Sequence, residues 1–319
     1  MEQLRRYIMR KRVLVLAVAF LLLLSGLAMA YPTRNITFVI PFNPGGATDV
    51  VGRQLAQFAE KYLGTRFIID NRPGAGSGIG MNFVYNSRPD GYTLGLGGAH
   101  LVVSSVLQAT QYPAHEFTNI ARINLDPFVL AVRADSPYQS IEGLIAATHE
   151  QAISLGNAGV NTTTYMVCAA INSVTGANFN IVPADGGAQM RALIIGGHID
   201  GGIFSQSELI GYEEELRPLL VMSDQRTVLY PEVPCVAEFG WTGIPEGSWR
   251  MVTAPPGLSE DIKSALVEAF HKVVNDPEWI AWSQSNGFIE LFLAGEELDQ
   301  YVRDQEELFT DLVQAIGLE

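Results

Sequence analysis

Pro41-Phe42-Asn43-Pro44-Gly45-Gly46-Ala47-Thr48-Asp49 stands between a continuous apolar run at 36–42 and a stretch at 49–63 that places Val51, Leu55, Phe58 and Tyr62 on one helical face. A short apolar run, a Pro/Gly break and then a 3.6-residue period read as strand, tight turn and helix, with Thr48 or Asp49 capping the helix. Glycine lets the backbone approach a ligand with no Cβ in the way. Successive N–H groups at the positive end of a helix form an anion site. An ordinary βα turn explains the same spacing equally well.

The pattern recurs outward along the chain. Val182-Pro183-Ala184-Asp185-Gly186-Gly187-Ala188 is again a strand, a glycine turn and a helix start. Gly156-Asn157-Ala158-Gly159-Val160-Asn161-Thr162-Thr163-Thr164 leads into a helix over 162–174, with Met166, Ala170 and Val174 at helical spacing. Its hydroxyls and amides can cap that helix or meet a carboxylate. Short apolar runs at 67–69, 92–96, 128–132, 153–155, 179–182, 199–204 and 216–222 read as strands. The tail reads as amphipathic helices over 259–275, 277–285 and 296–316. Strands alternating with helices predict an α/β fold with largely parallel sheets. The chain changes character near Asp126-Pro127 and again over 245–254.

Composition narrows the function. The chain has 319 residues, 48 % of them apolar and 17 % charged, enough for about two domains with real cores and too apolar for disorder. Its net charge of −14 argues against general nucleic-acid binding, since phosphates would be repelled. Five cations (Arg5, Arg6, Arg10, Lys11, Arg12) precede the 12-residue apolar run 13–24 and the small-residue triplet Ala28-Met29-Ala30. That is the layout of a cleavable export signal over 1–30, and the run is short for a bilayer span. Cleavage after Ala30 would leave 15 cations against 33 anions, a net charge of −18. The two cysteines, Cys168 and Cys235, can pair in an oxidising compartment or lie buried and free.

Enzyme signatures are missing from the sequence. The glycines of Asn71-Arg72-Pro73-Gly74-Ala75-Gly76-Ser77-Gly78-Ile79-Gly80 do not meet G-x-G-x-x-G spacing, and Gly76-Ser77-Gly78 is no nucleophile elbow. There is no phosphate loop and no H-E-x-x-H, and no cofactor is indicated. Of five scattered histidines, His100 stands out. It follows Gly97-Gly98 at the end of an expected strand, where α/β clefts take ligands.

Several motifs together resemble the tripartite tricarboxylate transporter substrate-binding proteins, the TctC or Bug family. They are Tyr31-Pro32-Thr33-Arg34-Asn35-Ile36, residues 41–49, Asn71-Arg72-Pro73-Gly74-Ala75-Gly76, Pro89-Asp90-Gly91-Tyr92-Thr93-Leu94, Leu193-Ile194-Ile195-Gly196-Gly197-His198-Ile199-Asp200 and Trp249-Arg250-Met251-Val252-Thr253-Ala254-Pro255-Pro256-Gly257. The resemblance spans essentially the whole chain after residue 30. It implies a periplasmic-binding-protein-like fold of type II, with two α/β domains, 31–127 plus 251–319 and 128–250, and a ligand cleft between them. It also implies a monomeric periplasmic receptor that binds a small organic carboxylate and hands it to membrane transporter subunits, without catalysis. The first lobe would use Gly46, Ala47, Thr48, Asp49 and His100. The second would use Asn157, Gly159, Asn161, Thr162, Thr163, Asp185, Gly186, Gly187 and Ser205. Backbone N–H groups, not an arginine clamp, would meet the ligand. Ala184 stands where many relatives carry an aromatic residue, which implies a wider cleft there. Two other readings compete: an exported hydrolase using His100 with Asp49 or Asp185, and a receptor domain that senses a carboxylate without transport.

Overall fold

A computed structural model describes residues 9, 31–108, 110–160, 162–315 and 317. The expected export signal, Met9 apart, and the candidate Asn161 lie outside the described residues. The elements run β1 (Ile36–Ile40), α1 (Ala47–Leu63), β2 (Phe67–Asn71), α2 (Gly78–Tyr85), β3 (Thr93–Gly98), α3 (Ala99–Val106), β4 (Thr118–Arg133), α4 (Ile141–Ala147), β5 (Ser154–Asn157), α5 (Thr163–Thr175), β6 (Asn180–Pro183), α6 (Gly187–Ile195), β7 (Gly201–Ser205), β8 (Leu216–Val221), β9 (Gly247–Ala254), α7 (Glu260–Val274), α8 (Pro277–Ser285), β10 (Leu293–Ala294) and α9 (Gly295–Ala315).

The strands form one path, β2-β1-β3-β9-β4-β7-β5-β6, with β8 and β10 also on β4. β4 organises it. Its first half pairs with β9, Thr118 opposite Ala254 through Pro127 opposite Gly247. Its second half pairs with β7 and β8. The sequence suggested a strand only over 128–132; the real strand is 16 residues long and passes through Pro127. Proline cannot donate to a ladder, so it is tolerated where the partner strand changes. The fold is α/β, but its sheet is mixed rather than largely parallel. β1 with β2 and β3, and β5 with β6 and β7, are parallel. β4 and β9 are antiparallel to their neighbours. β9 lies in the stretch where the sequence showed only a change of character.

Two helices packed side by side cover the first sheet section. α1 buries Val51, Leu55 and Phe58, and α7 buries Leu266, Phe270 and Val273. Their side chains join Phe38, Leu94, Ile120 and Trp279 in one apolar core. Trp279 is fully buried and meets Phe58 edge-on at 5.7 Å. Burying such a ring removes on the order of 200 Å² of apolar surface from water, several kcal/mol. α5 packs Met166, Val167 and Ile171 under β5, against Leu130, Leu155 and Ile203. Both cysteines are buried free thiols. Among the described residues no helix is long and apolar enough to cross a membrane.

Candidate ligand-binding site

The C-terminal ends of the parallel strands converge on the middle of β4. Gly98, which ends β3, lies opposite Arg250 of β9, and Arg250 lies opposite Asn124 of β4. Ser205, which ends β7, lies opposite Phe128 of β4. Asn124 and Phe128 are four residues apart, about 13 Å along an extended strand. The turns after β1 and β3 and those after β5, β6 and β7 therefore gather around one short segment of chain.

Three helices at this segment start without a capping side chain. Gly46 heads α1, Gly98 heads α3 and Gly186 heads α6, and none of these helices has a side chain accepting from its first turn. The expected cap by Thr48 or Asp49 is not formed. Uncapped first-turn N–H groups are free to meet an anion. Gly98 is required twice over: its φ is +144°, and a Cβ there would collide with the Trp249 carbonyl oxygen.

The candidate residues take distinct positions. Gly46 and Ala47 are exposed at the head of α1 and Thr48 is half-buried beside them. Asp49 is buried and turned back into its own loop. Its Oδ2 accepts from the Gly45 N–H and from Arg53 Nε, both at 2.8 Å, and its Oδ1 accepts from Asn71 Nδ2 at 2.7 Å. Burial pushes this carboxyl up, but the Arg53, Gly45 and Asn71 hydrogen bonds outweigh it and hold the group below the usual range. Asp49 braces the turn. His100 is in the first turn of α3, edge-on to Phe42 at 4.9 Å, with Nε2 3.1 Å from the Leu96 carbonyl. Burial first, and the nearby Arg250 charge as well, lower its pKa to about 4, so the ring is neutral at pH 7. His100 and Asp49 are thus each engaged elsewhere, which leaves a hydrolytic pair of the two without support.

Across the segment, Asn157 ends β5 fully buried. Its Oδ1 accepts from the Gly159 N–H at 2.9 Å, while its Nδ2 has no protein acceptor. Thr162 caps α5, accepting from the Tyr165 N–H and donating to the Gly159 carbonyl. Thr163 starts the helix, and the neighbouring Thr164 hydroxyl accepts from the Ala158 N–H. Capping is thus the observed part of this cluster. Asp185 is exposed, and its N–H donates to Gln189 Oε1 at the head of α6. Gly186 adopts φ +87°. A Cβ at Gly187 would collide with the Glu208 carboxylate. Ser205 caps the short turn 206–209, and its N–H donates to Glu208 Oε2 at 3.0 Å.

The glycine loop at 74–77 is a packed structural turn. Ser104 Oγ donates to the Gly76 carbonyl at 2.5 Å, and Ser77 Oγ lies 3.1 Å from Ser104 Oγ. Ala75 and Ser77 both hold positive φ. Strain of that kind in non-glycine residues costs on the order of 1–3 kcal/mol each and persists only where surrounding contacts enforce it.

Sequence reasoning missed the floor of the site. Asn124, Asp126 and Arg250 are buried there together. Asp126 accepts from the Ser207 N–H and Oγ–H at 3.2 and 2.6 Å. Burial raises its pKa to about 7, only partly offset by Arg250 and Ser207. Glu208 is likewise pushed up by burial. Both amide atoms of Asn124 and the Arg250 Nε have no protein partner. Buried polar atoms are almost always hydrogen-bonded, so such a concentration of unpartnered ones marks a place built to meet something polar. The expected site residues include no arginine, yet Arg250 lies close enough to His100 to shift it. The only trace in the sequence was a charge inside each of two apolar runs, which carries no long-range information.

A family model described as a tripartite tricarboxylate transporter family receptor matches residues 51–318. Protein BugT of Bordetella pertussis is 30 % identical over 285 residues, covering 82 % of this chain and 87 % of its own. A TctC solute binding protein from Polaromonas superposes with a TM-score of 0.79 at 31 % identity, covering 89 % of this chain and 99 % of that one. An R. palustris protein solved with adipate superposes with a TM-score of 0.78 at 25 % identity, covering 90 % of this chain and 98 % of that one.

Proposed function

The chain belongs to the tripartite tricarboxylate transporter receptor family, a family of solute-binding receptors rather than enzymes, and from that premise we propose that it is a periplasmic receptor for a small dicarboxylate or related organic acid. It is exported by residues 1–30, works as a monomer and delivers its ligand to a tripartite tricarboxylate-type membrane transporter. The observation that carries the carboxylate reading is the set of uncapped, glycine-headed helices, α1, α3 and α6, around one segment of β4. One end of a diacid would meet the α1 turn at Gly46, Ala47 and Thr48. The other would meet the turns at 157–163 and 184–187. Asn124 and Arg250 supply donors on the floor between them. The adipate held by the R. palustris relative fits that spacing in kind: two carboxylates joined by an apolar chain.

The sheet section before Pro127 together with the chain from Gly247 onward forms one lobe, and the section between forms the other. Closure is a bend where β4 and the start of β9 run side by side. Titration of adipate and shorter and longer diacids into the purified exported protein tests this reading. Ala47→Pro is the informative variant. Position 47 is the first helical residue, where proline is tolerated, and Gly46 before it is already extended at φ −76°, ψ 164°. The variant deletes one N–H donor with little cost to the fold. Loss of one charge-assisted hydrogen bond weakens binding by about 10- to 100-fold. Unchanged affinity in Ala47→Pro would remove the α1 turn from the site.

A further inference from the structure

Beside the β4 crossing lies a cavity of about 760 Å³, lined by Gln206 of the 206–209 turn but by none of the residues placed above in the carboxylate site. One wall is the loop 223–229 of the second sheet section. The other is the segment 284–291 of the first, and Arg122, Glu246 and Tyr301 complete it. Its size is that of a small-molecule site. Leu125, Phe288, Ile289 and Leu229 make most of its surface apolar.

The polar groups in it are unusual. Arg122 is 6 % exposed, yet among the described residues no carboxylate comes within ion-pair distance of it. Its Nε donates to the Leu291 carbonyl at 3.0 Å, and the guanidinium lies 4.3 Å over the Tyr301 ring. A buried guanidinium without a counter-charge is costly. Two lining side chains also hold buried atoms with no protein partner, Thr227 Oγ1 and Gln206 Oε1, while the Glu290 carboxylate is turned to the Ser283 hydroxyl and the Trp279 indole N–H. Glu246 lies near enough to Arg122 to feel its charge without bonding to it, and burial pushes both Glu246 and Glu290 up. Asp224 is exposed at the rim, and Arg226 is engaged by Glu238 through two hydrogen bonds.

A simple anion would satisfy Arg122 but stand against Glu246. A simple amine would satisfy Glu246 and leave Arg122 without a counter-charge. We propose that this cavity is a second ligand site for an apolar α-amino acid, its carboxylate on Arg122 and Thr227, its ammonium on Glu246 and the Gln206 side-chain carbonyl, and its side chain among Leu125, Phe288 and Leu229. A ligand seated there touches both sheet sections at once.

Calorimetric titration of the purified exported protein with L-leucine, L-phenylalanine and L-tryptophan tests the site. At least one binds at 1:1, and Arg122→Gln and Glu246→Gln each weaken it at least about tenfold. 3-Phenylpropionate and 2-phenylethylamine, each lacking one charge of phenylalanine, bind at least about tenfold more weakly than phenylalanine. Ala47→Pro leaves amino-acid binding intact, which separates this site from the carboxylate cleft. No binding of any of the three at about 10 mM, affinity unchanged by Arg122→Gln, or loss in Ala47→Pro overturns the proposal. So does 3-phenylpropionate binding as tightly as phenylalanine.

Discussion

Replacing Asp49 by alanine separates two roles that the same residue can play. If Asp49 touches ligand, the variant loses affinity and keeps its stability. The geometry makes it a brace, so stability falls first. Three hydrogen bonds disappear: from the Gly45 N–H, from Arg53 Nε and from Asn71 Nδ2. A hydrogen bond to a charged group is worth about 1.5–3 kcal/mol. The Arg53 side chain is 47 % exposed, so its share falls toward the value of a surface pair, below about 1 kcal/mol. Asn71 Nδ2 keeps its bond to the Phe42 carbonyl at 3.0 Å, which also lowers the loss. About 2–4 kcal/mol remains, or about 4–8 °C in a chain of this size. Thermal unfolding followed by circular dichroism at pH 7 reads it, with diacid titration alongside. The pH dependence has a fixed sign. Asp49 is held below its ordinary value in the folded chain, so its contribution is present at neutral pH and is lost as pH falls through the acid range below about 4. The variant and the wild type therefore converge in acid. A melting temperature within about 1 °C of wild type at pH 7, with binding abolished, would refute the brace.

Gly98→Ala places a methyl against the Trp249 carbonyl oxygen at a φ of +144°, and should cost about 3 kcal/mol or more, read by urea unfolding. Trp279→Ala empties a fully buried site beside Phe58 and Trp282 and should cost about 3–5 kcal/mol in the same assay. Asp126 runs opposite to Asp49: its folded pKa is raised to about 7, so its contribution is whole below about pH 4 and is lost as pH rises to 7 and beyond. Melting temperature measured from pH 4 to 8 should show that decline in the wild type and a flatter profile in Asp126→Asn.

The local grammar of the fold was legible because its signals are short-range. β1, the turn at 41–46 and α1 could be read from one apolar run, a Pro/Gly break and a 3.6-residue period, and the helix ended within the expected bounds. The same logic found α5 with its Thr162 cap, and α7 and α8. What escaped was long-range. Residues 118–125 form a strand because they lie between β9 and β10, more than 120 and 160 residues away in sequence. Nothing local distinguishes Arg122, Asn124 and Asp126 from surface polar residues, since their burial is imposed by those partners. The glycine turns were legible as strand–turn–helix junctions, while the bracing contacts of Asp49 were not. A carboxylate three residues into a helix reads as a dipole partner or a ligand group, and only the approach of Asn71 from β2 shows it as a tie.

Two strands pass between the sheet sections, and they pass next to each other: Asp126 faces Ser248, and Pro127 faces Gly247, where a Cβ would strike the Asp126 carbonyl. A single connecting strand would leave the halves free to swivel as well as fold. A pair laid edge to edge behaves like a door hinge with two leaves. It is soft to bending out of its own plane and stiff to shear within it, because shear would slide one ladder past the other and break its hydrogen bonds. The protein thereby trades six relative degrees of freedom for about one. In the proposed closure the two rims would then meet in the same register each time.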